Sequence, residues 1–181
     1  MKRGKKMCRA KLFLLAVLMP LLLGRCDKGI EPLPDTSTVS GPTGFSGKVT
    51  FTGAWPQGIK RTHLVVFQNP IETSQDFLPP NFSFVADSIP YGSTQFVYNS
   101  VDNNFYPVFQ LSPGSYRYVV VAQSKSPTLS LDRKDWTVVG VYYANGNTSS
   151  PGVLTIEQNR MTINIDINVD FNNLPPQPPG G

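Results

Sequence analysis

The chain has 181 residues, with 16 Lys or Arg, 12 Asp or Glu, a single His and a formal charge of +4. Seven of the basic residues precede Cys26 and all twelve acids follow it, so from Cys26 onward the balance is 9 − 12 = −3. A mildly acidic body without a basic stripe excludes nucleic-acid binding as a main activity, because that binding needs many Lys and Arg to neutralise phosphates.

The first element is an address. Met1 to Lys11 is positively charged, and Leu12 to Gly24 is an apolar run of thirteen residues. As a helix it would span about 20 Å, short of the ~30 Å hydrocarbon core, so it reads as a secretory signal. Leu23-Gly24-Arg25-Cys26 closes that run and resembles the lipobox of bacterial lipoproteins, departing from it at Arg25, where that family carries a small residue. The resemblance implies cleavage after residue 25 and acylation of Cys26. Two other fates stay open: ordinary signal-peptidase cleavage, for which only Gly24 supplies a small residue, and an uncleaved anchor.

Cysteine usage points the same way. Cys8 lies within the signal, leaving Cys26 as the sole thiol of the processed chain, and a lone exported thiol is accounted for by acylation. At about 0.8 kcal/mol per buried methylene, several acyl chains make attachment effectively permanent. The expected location is the cell envelope, membrane-anchored, at the outer membrane or the periplasmic face.

Residues 26–43 hold Pro32, Pro34 and Pro42 among Ser, Thr and Gly without apolar periodicity, and read as a lipidated start and flexible linker. Residues 44–172 follow with a period of two. Expected strands cover 45–52, 63–68, 82–86, 94–99, 115–123, 137–143, 153–157 and 161–171. The last alternates Met161, Ile163, Ile165, Ile167, Val169 and Phe171 with Thr162, Asn164, Asp166, Asn168 and Asp170, placing one face in a core and the other in water. Gln158-Asn159 suits a hairpin turn joining it to 153–157, and Ser112-Pro113-Gly114-Ser115 suits a type II turn. No stretch beyond the signal shows helical spacing. The expectation is an all-β chain forming a single antiparallel β-sandwich of seven or eight strands. Residues 173–181, rich in Pro and Gly, read as an unpaired tail.

Two segments resemble transthyretin-like, or carboxypeptidase regulatory-like, domains: Gly44-Phe45-Ser46-Gly47-Lys48-Val49-Thr50 as an opening strand, and Leu111 to Ala122 with its Pro113-Gly114-Ser115-Tyr116 core. In the second, Tyr116 is expected to bury its ring and hydrogen-bond its hydroxyl. The resemblance implies a non-enzymatic accessory or structural module on an exported bacterial protein; it transfers no catalysis.

A search for chemistry yields little. The processed chain would keep one His and one Cys, which excludes a His-rich or thiolate metal site. Asp166, Asn168 and Asp170 offer oxygen ligands for calcium, but each step along a strand is about 6.6 Å, so a solvated face is expected. His63, the only imidazole, is expected as a polar edge residue, and no Gly-x-Ser-x-Gly elbow or phosphate-cradling loop occurs. No catalytic residue, metal or cofactor is assigned.

Aromatic rings remain. Trp55, in the turn-rich Gly53 to Gly58, together with Trp136, Tyr142 and Tyr143, are the candidates for stacking on a sugar or a protein, against the alternative that they close the ends of a core. The expected partners are the membrane, through the N-terminal lipid, and an envelope protein or glycan. Cys26→Ala is expected to abolish both membrane fractionation and labelling by fatty acid; membrane retention without labelled acyl groups would indicate the uncleaved anchor.

Overall fold

The computed structural model describes residues 37–181; the signal, Cys26 and most of the expected linker lie outside the described residues. Among the described residues eleven strands fall in three open sheets, and these residues are all-β apart from short 3-10 turns at Ser74–Phe77, Arg133–Asp135 and Ala144–Gly146.

The first sheet is built around β2 (Gly44–Thr52). One edge of β2 pairs antiparallel with β5 (Gln95–Asn99). Its other edge pairs in parallel, first with β10 (Arg160–Ile163) and then with β11 (Ile167–Asp170). β1 (Ser37–Ser40) adds antiparallel to β10. The second sheet is antiparallel throughout, in the order β4 (Phe82–Val85), β3 (Arg61–Phe67), β7 (Tyr118–Ser124), β8 (Thr137–Val141). β6 (Gly114–Tyr116) and β9 (Leu154–Ile156) form the third, a two-stranded ribbon.

The expected strand count is too low for identifiable reasons. β1 lies in what reads as linker: Ser37 to Ser40 have no apolar signature and are held by backbone pairing to 160–163. Expected strand 115–123 divides at Arg117, where the chain passes from the ribbon to the second sheet. Tyr116 then packs in one hydrophobic cluster and Tyr118 in the other, although two residues apart on one strand would share a face. Expected strand 161–171 divides at 164–166. Asn164 takes φ 65°, and Asp166 Oδ1 accepts the Lys48 N–H at 2.9 Å, replacing a ladder bond with a side-chain bond.

The expected hairpin of 153–157 with 161–171 is also corrected. Asn159 does adopt positive φ, 56°, yet β9 pairs with β6 while β10 pairs with β1 and β2. The turn carries the chain between sheets, anchored by the Asn159 N–H donating to Thr43 Oγ1 at 2.9 Å. Gly114 has φ 156°, extended instead of the ~+80° that a type II turn requires. Tyr116 behaves as expected, 8% exposed with its hydroxyl donating to Ser112 O at 2.9 Å.

Two hydrophobic clusters hold the fold. The inner one draws Phe45 and Val49 from β2, Leu64 and Val66 from β3, Val119 and Val121 from β7, and Ile165, Ile167 and Val169 from the last strand region. Full burial of each such side chain contributes about 1.5–3 kcal/mol. Gly47 permits the tight join at the break between β10 and β11: a Cβ there would lie 2.2 Å from the Ile165 carbonyl oxygen. Tyr98, directly opposite Gly47 on β5, reaches past it and donates its hydroxyl to that same carbonyl. The outer cluster, including Val65, Phe67, Val85, Tyr118, Val120 and Val138, lies on the other face of the second sheet.

The C-terminal segment is docked, contrary to its reading as an unpaired tail. Gln177 Oε1 accepts the Val138 N–H at 2.9 Å and Gln177 Nε2 donates to Val138 O at 2.7 Å. A side-chain amide thus satisfies part of the open edge of β8. Proline composition alone conceals such a contact, since the pairing group is one glutamine between prolines. Gln177→Ala is expected to lower unfolding free energy by about 1–3 kcal/mol and to increase self-association through the uncovered β8 edge, measured by denaturant unfolding and light scattering.

Candidate functional site

The alternation of the last strand region creates one wall of a broad concave surface. Ile165, Ile167 and Val169 are buried, so Asn164, Asp166, Asn168 and Asp170 all face solvent. Beside this polar row stands β8, brought close because Gly140 lacks a side chain: a Cβ there would lie 2.7 Å from Val169 Cγ2 and 2.9 Å from Ile167 Cγ2. Between them runs a groove of about 630 Å3, walled by the polar row on one side and by Tyr143, Gly146 and Thr148 on the other, with Leu174 to Pro176 at one end.

Its electrostatics are simple. Asp166 Oδ1 is engaged by the Lys48 N–H, and Asp170 Oδ1 accepts from Asn172 N at 2.9 Å and Asn172 Nδ2 at 3.1 Å. Neither carboxylate has an ion-pair partner among the described residues. The groove therefore offers fixed acceptors with lone pairs to spare, flanked by Asn amides that both donate and accept. Among the described residues no group of three His, Cys, Asp or Glu side chains is placed to hold a metal ion.

Of the aromatic residues selected from sequence, only Tyr143 borders this groove as a half-buried ring. Tyr142 also lines it but is 3% exposed and belongs to the inner cluster. Trp136 is 5% exposed, with its indole N–H donating to Ser130 O at 2.9 Å. Tyr142 and Trp136 are thus corrected from exposed stacking platforms to core residues. Trp55 is half-buried, donates its indole N–H to Ser93 O at 3.0 Å, and packs against Phe51, Phe171 and Tyr91 with centroids 4.8, 5.2 and 5.3 Å away. It closes one end of the inner core, and Tyr91, 57% exposed, is the more accessible ring there. Trp55 and Tyr143 are not brought together in one groove.

From sequence, Asp166, Asn168 and Asp170 offer calcium ligands but are expected to form a solvated face, and Tyr143 is considered separately as an aromatic. Nothing in the spacing joined them, since β8 and β11 belong to different sheets.

His63 is the clearest correction. It is wholly buried on β3, an interior strand of its sheet, not a polar edge residue. Its Nδ1 lies 2.8 Å from Ala86 O, and its ring meets Phe105 and Trp136 edge-on at 5.3 and 6.0 Å. Loops covering the outer face of the second sheet seal it in, and burial holds its pKa below the ordinary value despite the bond to Ala86.

No family model matches the chain, and no curated protein or solved structure is significantly similar to it.

His63 sets an acid limit on stability. Its folded pKa is depressed below 6.5, so as pH falls the unfolded chain takes the proton first. Stability is expected to be level above about pH 7 and to decline below about 6.5, by at most ~1.4 kcal/mol per pH unit. It is the chain's one histidine, so unfolding of His63→Gln between pH 7 and 5 should be nearly pH-independent; an equal acid response in that variant would assign the effect elsewhere.

Proposed function

We propose that this chain is a lipid-anchored cell-envelope protein whose domain is a non-catalytic interaction module, a β-sandwich of the transthyretin-like kind. The sandwich reading is supported by the inner cluster, to which both larger sheets contribute alternate residues. Anchorage is supported by the charged, apolar and Cys26-terminated start. With β1 beginning at Ser37, ten residues separate it from Cys26, a reach of at most about 36 Å.

The observation that carries the interaction role is the groove between β8 and β11. Its size falls in the range of small-molecule sites, and its row of exposed Asn and Asp stands on a strand whose other face is locked in the core. The imidazole on which nucleophilic or general-base chemistry would draw is enclosed under Phe105 and Trp136 instead of lining that groove.

A second reading, a glycan-binding accessory lipoprotein, is favoured by the lining itself. Each carboxylate or amide of the row carries two polar atoms close enough together to engage adjacent hydroxyls of one sugar, and the ring of Tyr143 offers a surface for an apolar sugar face. Tyr143 replaces Trp55 as the ring on which this reading rests.

Glycan-array screening and calorimetry on the mature chain test the two readings. If the ligand is a glycan, Tyr143→Ala and Asn168→Ala each weaken binding about tenfold, the equivalent of ~1.4 kcal/mol, while the unfolding midpoint is nearly unchanged. Absence of glycan binding removes the second reading. A photocrosslinker at Asn168 that captures neither protein nor glycan on intact cells removes the groove as the interaction surface.

A further inference from the structure

Exposed apolar side chains collect beside β4, at one edge of the second sheet. The segment after β5 runs along that strand, with the Phe105 N–H donating to Val85 O at 3.1 Å and Asn104 bridged to Ala86. Its tip, Tyr106-Pro107-Val108, is exposed, Val108 at 81%. Beneath the tip Phe109 packs on Phe82 with centroids 5.0 Å apart, and the Phe82 N–H donates to Leu78 O at 3.2 Å. These contacts join the tip to the exposed Leu78-Pro79-Pro80 in one apolar patch. No Lys, Arg, Asp or Glu occurs from Phe77 to Ala86 or from Asn103 to Tyr116. The preceding Asp76 turns its carboxylate back onto Thr73, accepting from the N–H at 2.7 Å and from the hydroxyl at 3.0 Å.

Single exposed apolar residues are ordinary, but a charge-free cluster of them marks a contact surface. Its chemistry suits a bilayer interface, where a Tyr ring is buried while its hydroxyl stays wet and aliphatic side chains reach the acyl boundary. The chain ahead of β1 is what places a bilayer within reach. Ten residues between Cys26 and Ser37 hold the domain within at most about 36 Å of the end that carries the lipid in the reading above. That is roughly one diameter for a domain of this size. Confinement on that scale raises the effective concentration of the surface, so a small patch of weak affinity is enough to keep the domain docked.

We propose that the patch of Leu78, Tyr106 and Val108 docks on the lipid surface to which the chain is anchored; this rests on the anchorage proposed above. β4 and β8 are opposite edges of the second sheet. Docking beside β4 therefore leaves the β8–β11 groove on the far side of the sheet from the bilayer, open to its ligand.

Flotation of the mature chain carrying Cys26→Ala with phosphatidylcholine vesicles tests the patch without the anchor, so the outcome is separate from whether Cys26 is acylated. The chain should partition onto the vesicles at millimolar lipid, equally at low and high salt. Val108→Asp should weaken partition at least tenfold with the unfolding midpoint unchanged. Val97→Asp, at a valine 69% exposed on β5, and Asn168→Ala in the groove should leave it unchanged. No partition at millimolar lipid, an equal loss in Val97→Asp, or binding that requires phosphatidylglycerol and disappears at high salt would overturn the proposal. Self-association of the chain that Val108→Asp abolishes, without vesicle binding, would overturn it too, by assigning the patch to a second copy.

Discussion

The structure depends on a sheet that has no wet face. Every residue of β7 is buried, as are six of the seven in β3, so side chains on both faces of these strands are apolar or enclosed. A sheet backed by a second sheet on one side must then be covered on the other, and this chain does so with irregular segments. Rings from those segments and from β3 and β4 run in contact across that face: Trp136, His63, Phe105, Tyr106, Phe109, Phe82, Phe67 and Phe77, with successive centroids between 4.8 and 6.2 Å. Edge-on packing of this kind adds about 0.5–1.5 kcal/mol per pair beyond area burial. The sealed histidine, the docked tail and the buried Arg133 guanidinium are all consequences of that covering.

Where backbone approaches backbone, glycine marks the place. Gly47 admits the Ile165 carbonyl and Gly140 admits the side chains of Ile167 and Val169, so the last strand region is clasped between an interior strand of one sheet and an edge of the other. This double contact makes its outward row of Asn and Asp a rigid feature. A polar row on a free strand would rearrange with each ligand; one whose alternate residues are fixed in the core keeps its spacing.

Two surfaces of different chemistry result. The β8–β11 groove is polar, open and acidic, suited to hydrogen-bonding ligands. A cleft on the covered face is apolar and narrow, and the one cation at its border, Arg133, is covered by the C-terminal glycines. Their separation follows from β8, whose one side borders the groove through Gly140 and Val141 while Val138 lies in the cleft and receives the Gln177 amide.

By itself the sequence determined the all-β class and the location of nearly every strand, because a period of two and the residues bounding it are local properties. It also carried the pattern of charge, apolar run and cysteine from which anchorage is argued. Tertiary structure alone decided which strands pair, since Arg117 and Asn164 to Asp166 break runs that look continuous, and β1 and Gln177 pair through groups with no apolar signal. It alone decided that Trp136, Tyr142 and His63 are interior while Asp166, Asn168 and Tyr143 share a groove. Burial and convergence depend on which distant segments cover a face, and that information is spread over the whole chain instead of being written at any one position.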